Sequence, residues 1–390
     1  MMTFFPTQAI SAKQAESEEY PIDFWLIGAA LLLIVLGLVM VASTSITTAD
    51  REIGAPLHYF MRQLGYVSLG FFFAGLTIIL PLKFWERNDV LFLILGIILL
   101  LLVLVPGIGR EVNGSIRWIR VGFFNLQPSE PIKLLLIIYL ASYAVRHHEL
   151  VRNHFKGLVN PFLFVAIIAL LLLLEPDYGA TAVLFATALG MLFLAGVPFW
   201  GFTAWSTAIA ALLVGFILVE PYRLERLTVF VNPWNDPFGS GFQLTQALIA
   251  IGRGEWFGAG LGGSVQKLFY LPEAHTDFLF AVLAEELGFV GAILVIGLFT
   301  LLVWRAFAIA RQAARQDFRF GAYLSYGIGL IIGLQAFVNI GVNMGMLPTK
   351  GLALPLMSYG GSSMLVNCVA IGFLLRVGRE LQLPSRVEIV

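Results

Sequence analysis

The sequence predicts an all-α polytopic membrane protein with ten transmembrane helices, and three observations carry that prediction. Of its 390 residues 59% are hydrophobic and only 12% are charged, where soluble domains carry roughly 25% charged residues. The apolar residues fall into segments of ~20, the length at which a helix crosses a bilayer. The charges collect between those segments, where polar loops belong.

In chain order, residues 1–23 are polar and acidic, with Glu16, Glu18, Glu19 and Asp23 against a single Lys13. No short apolar stretch with a small-residue cleavage site precedes the first long segment, so a soluble cytoplasmic tail is expected rather than a cleaved signal peptide. Spans are predicted at about 24–45, 64–82, 89–106, 131–146, 160–175, 179–197, 201–220, 278–303, 321–345 and 360–377. The fifth and sixth are separated only by Glu175-Pro176-Asp177-Tyr178-Gly179. An even number of spans places both termini on one side. Lys83, Arg87, Arg146, Arg152, Lys156, Arg305, Arg311, Arg315 and Arg319 lie in the loops on that side, with Arg376, Arg379 and Arg386 at the C-terminal end. The opposite loops also hold Arg51, Arg62, Arg110, Arg117, Arg120, Arg223, Arg226, Arg253, Lys267 and Lys350, but the bias in the short loops flanking the spans places the termini on the cytoplasmic side. The organisation that follows is one membrane domain over 24–378, a large extracytoplasmic loop over 221–277 between helices 7 and 8, and a cytoplasmic tail over 379–390.

Net charge is zero, which argues against nucleic acid as a partner. Cys368 is the only cysteine, so neither an intrachain disulfide nor a cysteine metal cluster is available. No GxxxxGK[ST], HExxH or GxSxG motif occurs, which disfavours ATP hydrolysis, zinc proteolysis and a serine-nucleophile elbow.

The remaining chemistry sits on the predicted outer face. Leu271 to Gly288 packs His275, Thr276 and the carboxylates Glu273, Asp277, Glu285 and Glu286 against the start of the eighth span. Acids where loop meets membrane helix are costly and are functional candidates by default; the plainer reading is a marker of the water–lipid boundary. Gln127-Pro128-Ser129-Glu130-Pro131-Ile132-Lys133 opens the fourth span, with Ser129 as a helix cap and Glu130 and Lys133 three apart on one face. They form either a structural ion pair or one wall of a substrate cavity. Arg110, Arg117 and Arg120 surround Trp118, a mixture that suits interfacial anchoring as well as phosphate binding. In the large loop, Gly241 to Ile251 suits a short interfacial helix. The run Gly252 to Gly263 offers backbone N–H groups to a phosphate, or else packs closely. Lys350 and Ser358 flank a Pro/Gly-rich loop before the last span, Lys350 being either a counter-ion or a snorkelling cation.

These segments resemble the SEDS family (shape, elongation, division and sporulation), and its division branch more than its elongation branch. The resemblance rests on Asn113-Gly114-Ser115-Ile116-Arg117-Trp118, Gln127-Pro128-Ser129-Glu130, Glu175-Pro176-Asp177-Tyr178-Gly179, Asn232-Pro233-Trp234, Gln266-Lys267, Tyr270 through Phe278, Pro348-Thr349-Lys350-Gly351 and Ser358 through Ser363. Ala274 and Gly252-Arg253-Gly254-Glu255 favour the division branch. Pro131 stands where that branch usually carries an aliphatic residue, and Ala247 where Ser is common.

The resemblance implies a peptidoglycan glycosyltransferase that polymerises lipid II at the outer face of the bacterial inner membrane during septal synthesis. It also implies a cognate class B penicillin-binding protein (FtsI) and the FtsQ–FtsL–FtsB complex as partners, with membrane lipids around the bundle. The family's essential acid falls on Asp277, which is expected to act as general base. Lys350, Arg117 and Arg110 are candidates for the leaving pyrophosphate, with a divalent cation (Mg2+ or Mn2+) as a further stabiliser. Glu130, Lys133, His275 and Ser358 are expected to shape or bind the sugars. Glu285 and Glu286, about two turns deeper, are expected to serve packing or to tune Asp277, and Glu273 to be a solvated loop charge. A lipid II flippase, an elongation-type polymerase and a recruitment scaffold are the competing readings.

Overall fold

A computed structural model describes residues 23–382 apart from 113–114, 123, 154, 199, 205, 208–214, 216–229, 231, 240, 269 and 350. The terminal tails, most of the seventh predicted span and Lys350 therefore lie outside the described residues. Within them the chain is mostly helical. The helices are α1 Phe24–Ile53, α2 His58–Ile79, α3 Leu82–Arg87, α4 Asp89–Val103, α5 Ser129–Arg146, α6 His148–Asn153, α7 Val159–Leu174 and α8 Tyr178–Leu194. After the large loop's helix α9, Phe242–Gly254, come α10 Leu279–Arg315, α11 Arg319–Asn343 and α12 Gly361–Glu380. Helices α1, α2, α10, α11 and α12 are each long and apolar enough to cross a bilayer, and α4, α7 and α8 are shorter apolar helices. This is a multi-pass membrane protein.

The long helices alternate in direction and meet at two polar ends. At the end away from Asp277, Asp23 caps α1 and accepts from Leu26 N at 3.0 Å, while Arg305 of α10 reaches the same carboxylate at 2.8 Å. Arg146 at the foot of α5 holds the buried Asp89 with both Nη nitrogens, at 2.9 and 2.6 Å. Glu380 of α12 accepts from Arg376 and from Leu82 N, both at 2.9 Å. With no water in the bilayer core to repel apolar surface, close approach between helices depends on small residues. A Cβ on Gly372 would come within 2.8 Å of the Ala74 carbonyl of α2, and one on Gly37 within 2.5 Å of Met357 Cα. No larger residue fits either crossing without displacing backbone.

Two features depart from the predicted outline. The segment read as an interfacial loop with arginines is an antiparallel sheet, β1 Gly109–Val112, β2 Ser115–Val121 and β3 Phe124–Leu126, in the order β1-β2-β3. The purely all-α expectation is corrected to that extent: Ile, Trp and Val in Ser115–Val121 are good strand formers, and hydrogen bonding to both neighbours outweighs the interspersed arginines. Ser129 does not cap α5. Pro128 occupies the cap position, and the Ser129 hydroxyl is buried without a hydrogen-bond partner among the described residues.

α10 is not one continuous rod. Gly288 has φ 68° and ψ −166°, which separates the first turns, residues 279–287, from the long lower part. A side chain there would lie 2.4 Å from Gly258 N of the large loop, so glycine is required by backbone conformation and by space together.

Candidate active site

Asp277 stands two residues before α10, at the end of the bundle where α11 finishes and α12 begins. Its main-chain carbonyl accepts from two amides of α11, Asn339 Nδ2 at 2.9 Å and Asn343 Nδ2 at 3.0 Å. Asn343 Oδ1 in turn accepts from Ala281 N at 3.0 Å, capping the first turn of α10. Asn339 and Asn343 are one helical turn apart, hence on the same face. Their side chains fix the backbone of Asp277 and leave its carboxyl unused.

The segment before the last long helix closes over the same corner. Ser358 Oγ donates to Thr276 O at 2.5 Å and accepts from Leu354 N at 2.9 Å, and Tyr359 N donates to His275 O at 2.9 Å. Gln63 of α2 donates to Ser358 O at 3.1 Å and accepts from Gly360 N at 3.3 Å. Gly351 approaches Asp277 so closely that a Cβ there would sit 2.8 Å from Oδ2. Ser358, expected to contact sugar, is instead committed to backbone. His275 packs between Tyr59 and Tyr359, with ring centroids 4.9 and 5.5 Å away. Burial lowers its pKa, with Glu273 and Glu52 pulling the other way. Glu273, expected to be solvated, is half-buried and accepts from Thr276 Oγ1 at 2.7 Å.

The carboxyl of Asp277 is half-buried. Burial pushes its pKa up to about 7, the charges of Glu273 and Asp177 add to the rise, and Arg117 opposes it. Proton transfer is most efficient when the pKa lies near the working pH.

Arg117 projects from β2 towards this corner, whereas Arg110 and Arg120 lie exposed on the sheet. Its Nε donates to Glu175 O at 2.9 Å and its Nη2 to Pro176 O at 2.7 Å. The arginine thereby anchors the α7–α8 turn as well as supplying charge, and part of its five-donor fork is already spent. Asp177 caps α8, accepting from Ala180 N at 3.2 Å. The buried carboxylate of Glu175 has no hydrogen-bond partner among the described residues.

Of the two readings for Glu130 and Lys133, the ion pair is present, at 2.8 Å with both side chains buried. Lys133 also donates to Gln335 Oε1 at 3.1 Å, and Gln335 Nε2 donates to Ala353 O at 3.0 Å. Gln335, Asn339 and Asn343 thus make a ladder of amides up one face of α11. It runs from the ion pair inside the bundle to the main chain of Asp277. Asn339 and Asn343 escaped the sequence reading, although two amides four residues apart in an apolar span were the available signal. Among the described residues no group of three or more His, Cys, Asp or Glu side chains is placed to hold a metal ion. A divalent cation held by three such side chains therefore has no ligand set there.

The fold and this corner define a class: a multi-pass membrane protein with a poised acid at the mouth of a helical bundle. Residues 24–383 match the FtsW/RodA/SpoVE family of cell cycle proteins, and the chain belongs to that family. It is 57% identical over 359 residues to the probable peptidoglycan glycosyltransferase FtsW of Thioalkalivibrio sulfidiphilus (strain HL-EbGR7), covering 92% of this chain and 90% of the relative. It is 54% identical over 358 residues to the protein of the same name from Coxiella burnetii (strain RSA 493 / Nine Mile phase I), covering 92% and 96%. Among solved structures it is similar to the rod shape determining protein RodA of Thermus thermophilus, with 28% identity, a TM-score of 0.68, and coverage of 94% and 100%. A chain from a structure titled "Structural coordination of polymerization and crosslinking by a peptidoglycan synthase complex" is also similar, with 32% identity, a TM-score of 0.74, and coverage of 93% and 98%.

Proposed function

We infer that Asp277 is the general base of glycan polymerisation, in a chain that is a peptidoglycan glycosyltransferase acting in cell-wall synthesis during division. The observation that carries this reading is a half-buried carboxyl with a pKa near 7, on a backbone fixed by two amides. In the reaction, the 4-hydroxyl oxygen of the acceptor sugar forms a bond to the anomeric carbon of the lipid-linked donor. The bond from that carbon to pyrophosphate oxygen breaks, and the bonding electron pair leaves with undecaprenyl pyrophosphate. The hydroxyl proton passes to Asp277 Oδ. Charge developing on the pyrophosphate is met by Arg117, and by Lys350, which lies three residues before Ala353, where the amide ladder reaches the closing loop.

The same reading sets the topology at ten spans with both termini cytoplasmic, placing the corner on the outer face of the inner membrane, at the septum. Lipid II is the substrate, and a class B penicillin-binding protein with the FtsQ–FtsL–FtsB complex are the partners. The similarity to a chain from a peptidoglycan synthase complex supports the first of those partners.

The test uses purified full-length protein with lipid II in detergent, where no membrane barrier exists for a flippase to act across. Wild type is expected to yield glycan chains on a gel and Asp277→Asn none. Chains of normal length and amount from folded Asp277→Asn would refute the assignment of the base.

A further inference from the structure

Among the buried carboxylates that the mechanism does not use, Glu285 and Glu286 are consecutive in sequence, completely buried, and located just above the break at Gly288. Glu286 accepts from Ser43 Oγ of α1 at 2.7 and 2.9 Å and from Lys267 Nζ of the large loop at 2.7 Å. Lys267 Nζ also donates to Ser43 Oγ at 2.9 Å, so the three side chains form a closed triangle. Glu285 accepts from Arg253 Nη1 at 2.9 Å, Ser264 Oγ at 2.5 Å and Val265 N at 3.0 Å.

The loop backbone follows the same path. Ala259 N and Gly260 N donate to the carbonyls of Glu285 and Glu286 at 2.9 and 3.1 Å. Phe289 N and Val290 N donate to Glu255 O and Trp256 O at 2.8 and 3.2 Å. The loop thus supplies the partners that a helix loses where it breaks, as an irregular backbone at membrane depth requires. The glycine run of residues 252–263, a phosphate-cradle candidate in sequence, is consumed by this contact. A Cβ on Gly254 or Gly258 would fall within about 2 Å of the Ala284 or Glu286 carbonyl.

We propose that Lys267, with Glu286 and Ser43, is a positioning residue for polymerisation: the triangle fixes the direction of the rod 279–287 that carries Asp277. The proposal rests on Asp277 being the base. Because Gly288 interrupts α10, the lower helix does not impose a direction on the rod. The amides of Asn339 and Asn343 hold its top, at the Asp277 carbonyl and at Ala281 N. A rod held only at its top can swing; about 13 Å below the loop's contacts to Glu285 and the Lys267–Glu286–Ser43 triangle fix its lower end, and the triangle ties that end to α1 as well as to the loop. Catalytic groups must be held to within ~0.5 Å and 10–20° of productive geometry, and a small misplacement far from the chemistry can cost about a hundredfold in rate.

The experiment measures polymerisation kinetics and thermal unfolding of the full-length protein with lipid II. Lys267→Met is expected to lower kcat at least tenfold while KM for lipid II stays within about twofold. Lys267→Arg, which keeps the charge and the reach, is expected to recover most of the rate. The deciding variant replaces both charges, Lys267→Met with Glu286→Leu, since exchanging a whole buried pair for apolar side chains commonly leaves stability unharmed. That double variant should unfold at or above the wild-type temperature and still be slow. Wild-type kcat in either the folded double variant or folded Lys267→Met overturns the proposal. Should the double variant not fold, the charge-reversed pair Lys267→Glu with Glu286→Lys decides: recovery above Lys267→Met supports the proposal, and equal slowness in folded protein sinks it. Failure of the base reading shows separately, as activity in Asp277→Asn.

Discussion

If Asp277 accepts the proton, the rate of polymerisation must follow its ionisation. With a pKa of about 7, roughly one site in eleven is charged at pH 6 and ten in eleven at pH 8, so kcat/KM should rise about tenfold across that interval. The neighbours that set the value offer a sharper test. Glu273 raises it and Arg117 lowers it. Glu273→Gln should therefore move the midpoint of the profile to lower pH, and Arg117→Gln should move it higher. Stability carries the same signature with a defined sign. The folded-state pKa lies above the ordinary 3.8, so the folded state binds this proton more tightly than the unfolded chain does. Stability is then fully present below pH ~3.8 and is lost as pH rises towards ~7, above which the loss levels off. Asp277→Asn escapes that loss, and its advantage in melting temperature over wild type should grow between about pH 4 and pH 7. The assay is glycan-chain synthesis from lipid II across pH 5.5–8.5, with melting curves in the same buffers. A flat profile, or midpoints that move in the same direction in the two variants, would refute this account of the acid.

Two further outcomes follow from the packing. Glu130→Gln or Lys133→Met alone strands a buried charge and should cost about 3–5 kcal/mol, whereas the double change should cost much less; chemical or thermal unfolding of the three variants measures the difference. Gly288→Ala forces a side chain into a left-handed backbone position 2.4 Å from Gly258 N and should cost at least about 1–3 kcal/mol. Limited proteolysis of the 252–268 loop would report the loosening.

Much of this molecule was legible from its residues. Apolar runs of ~20 mark the helices because a bilayer core punishes any other backbone, and Asp277 stood out as an acid where such a run begins. Glu130 and Lys133 were paired by their three-residue spacing alone. The sheet was harder to read: in Ser115–Val121 two arginines interrupt the apolar residues, and the hydrogen bonds that make it a strand come from β1 and β3. Ser129 had the right identity for a cap, yet Pro128 took the position and left its hydroxyl buried. Lys267 and Glu286 are 19 residues apart with no periodic relation. Only the break at Gly288 and the return of the loop bring them together. Glycines 254 and 258 carried the clue, since their role is close approach of backbone to backbone.

The two amides of α11 take hold of Asp277 through its carbonyl, an atom that every amino acid possesses. On the general-base reading, removing the carboxyl removes the chemistry without undoing the fastening, the cap on Ala281 N or the closure by Ser358. A protein disarmed at residue 277 should assemble as the intact one does and compete with it for the same place in the cell. If Asp277 is the base, one altered codon should slow wall synthesis even in the presence of a working copy.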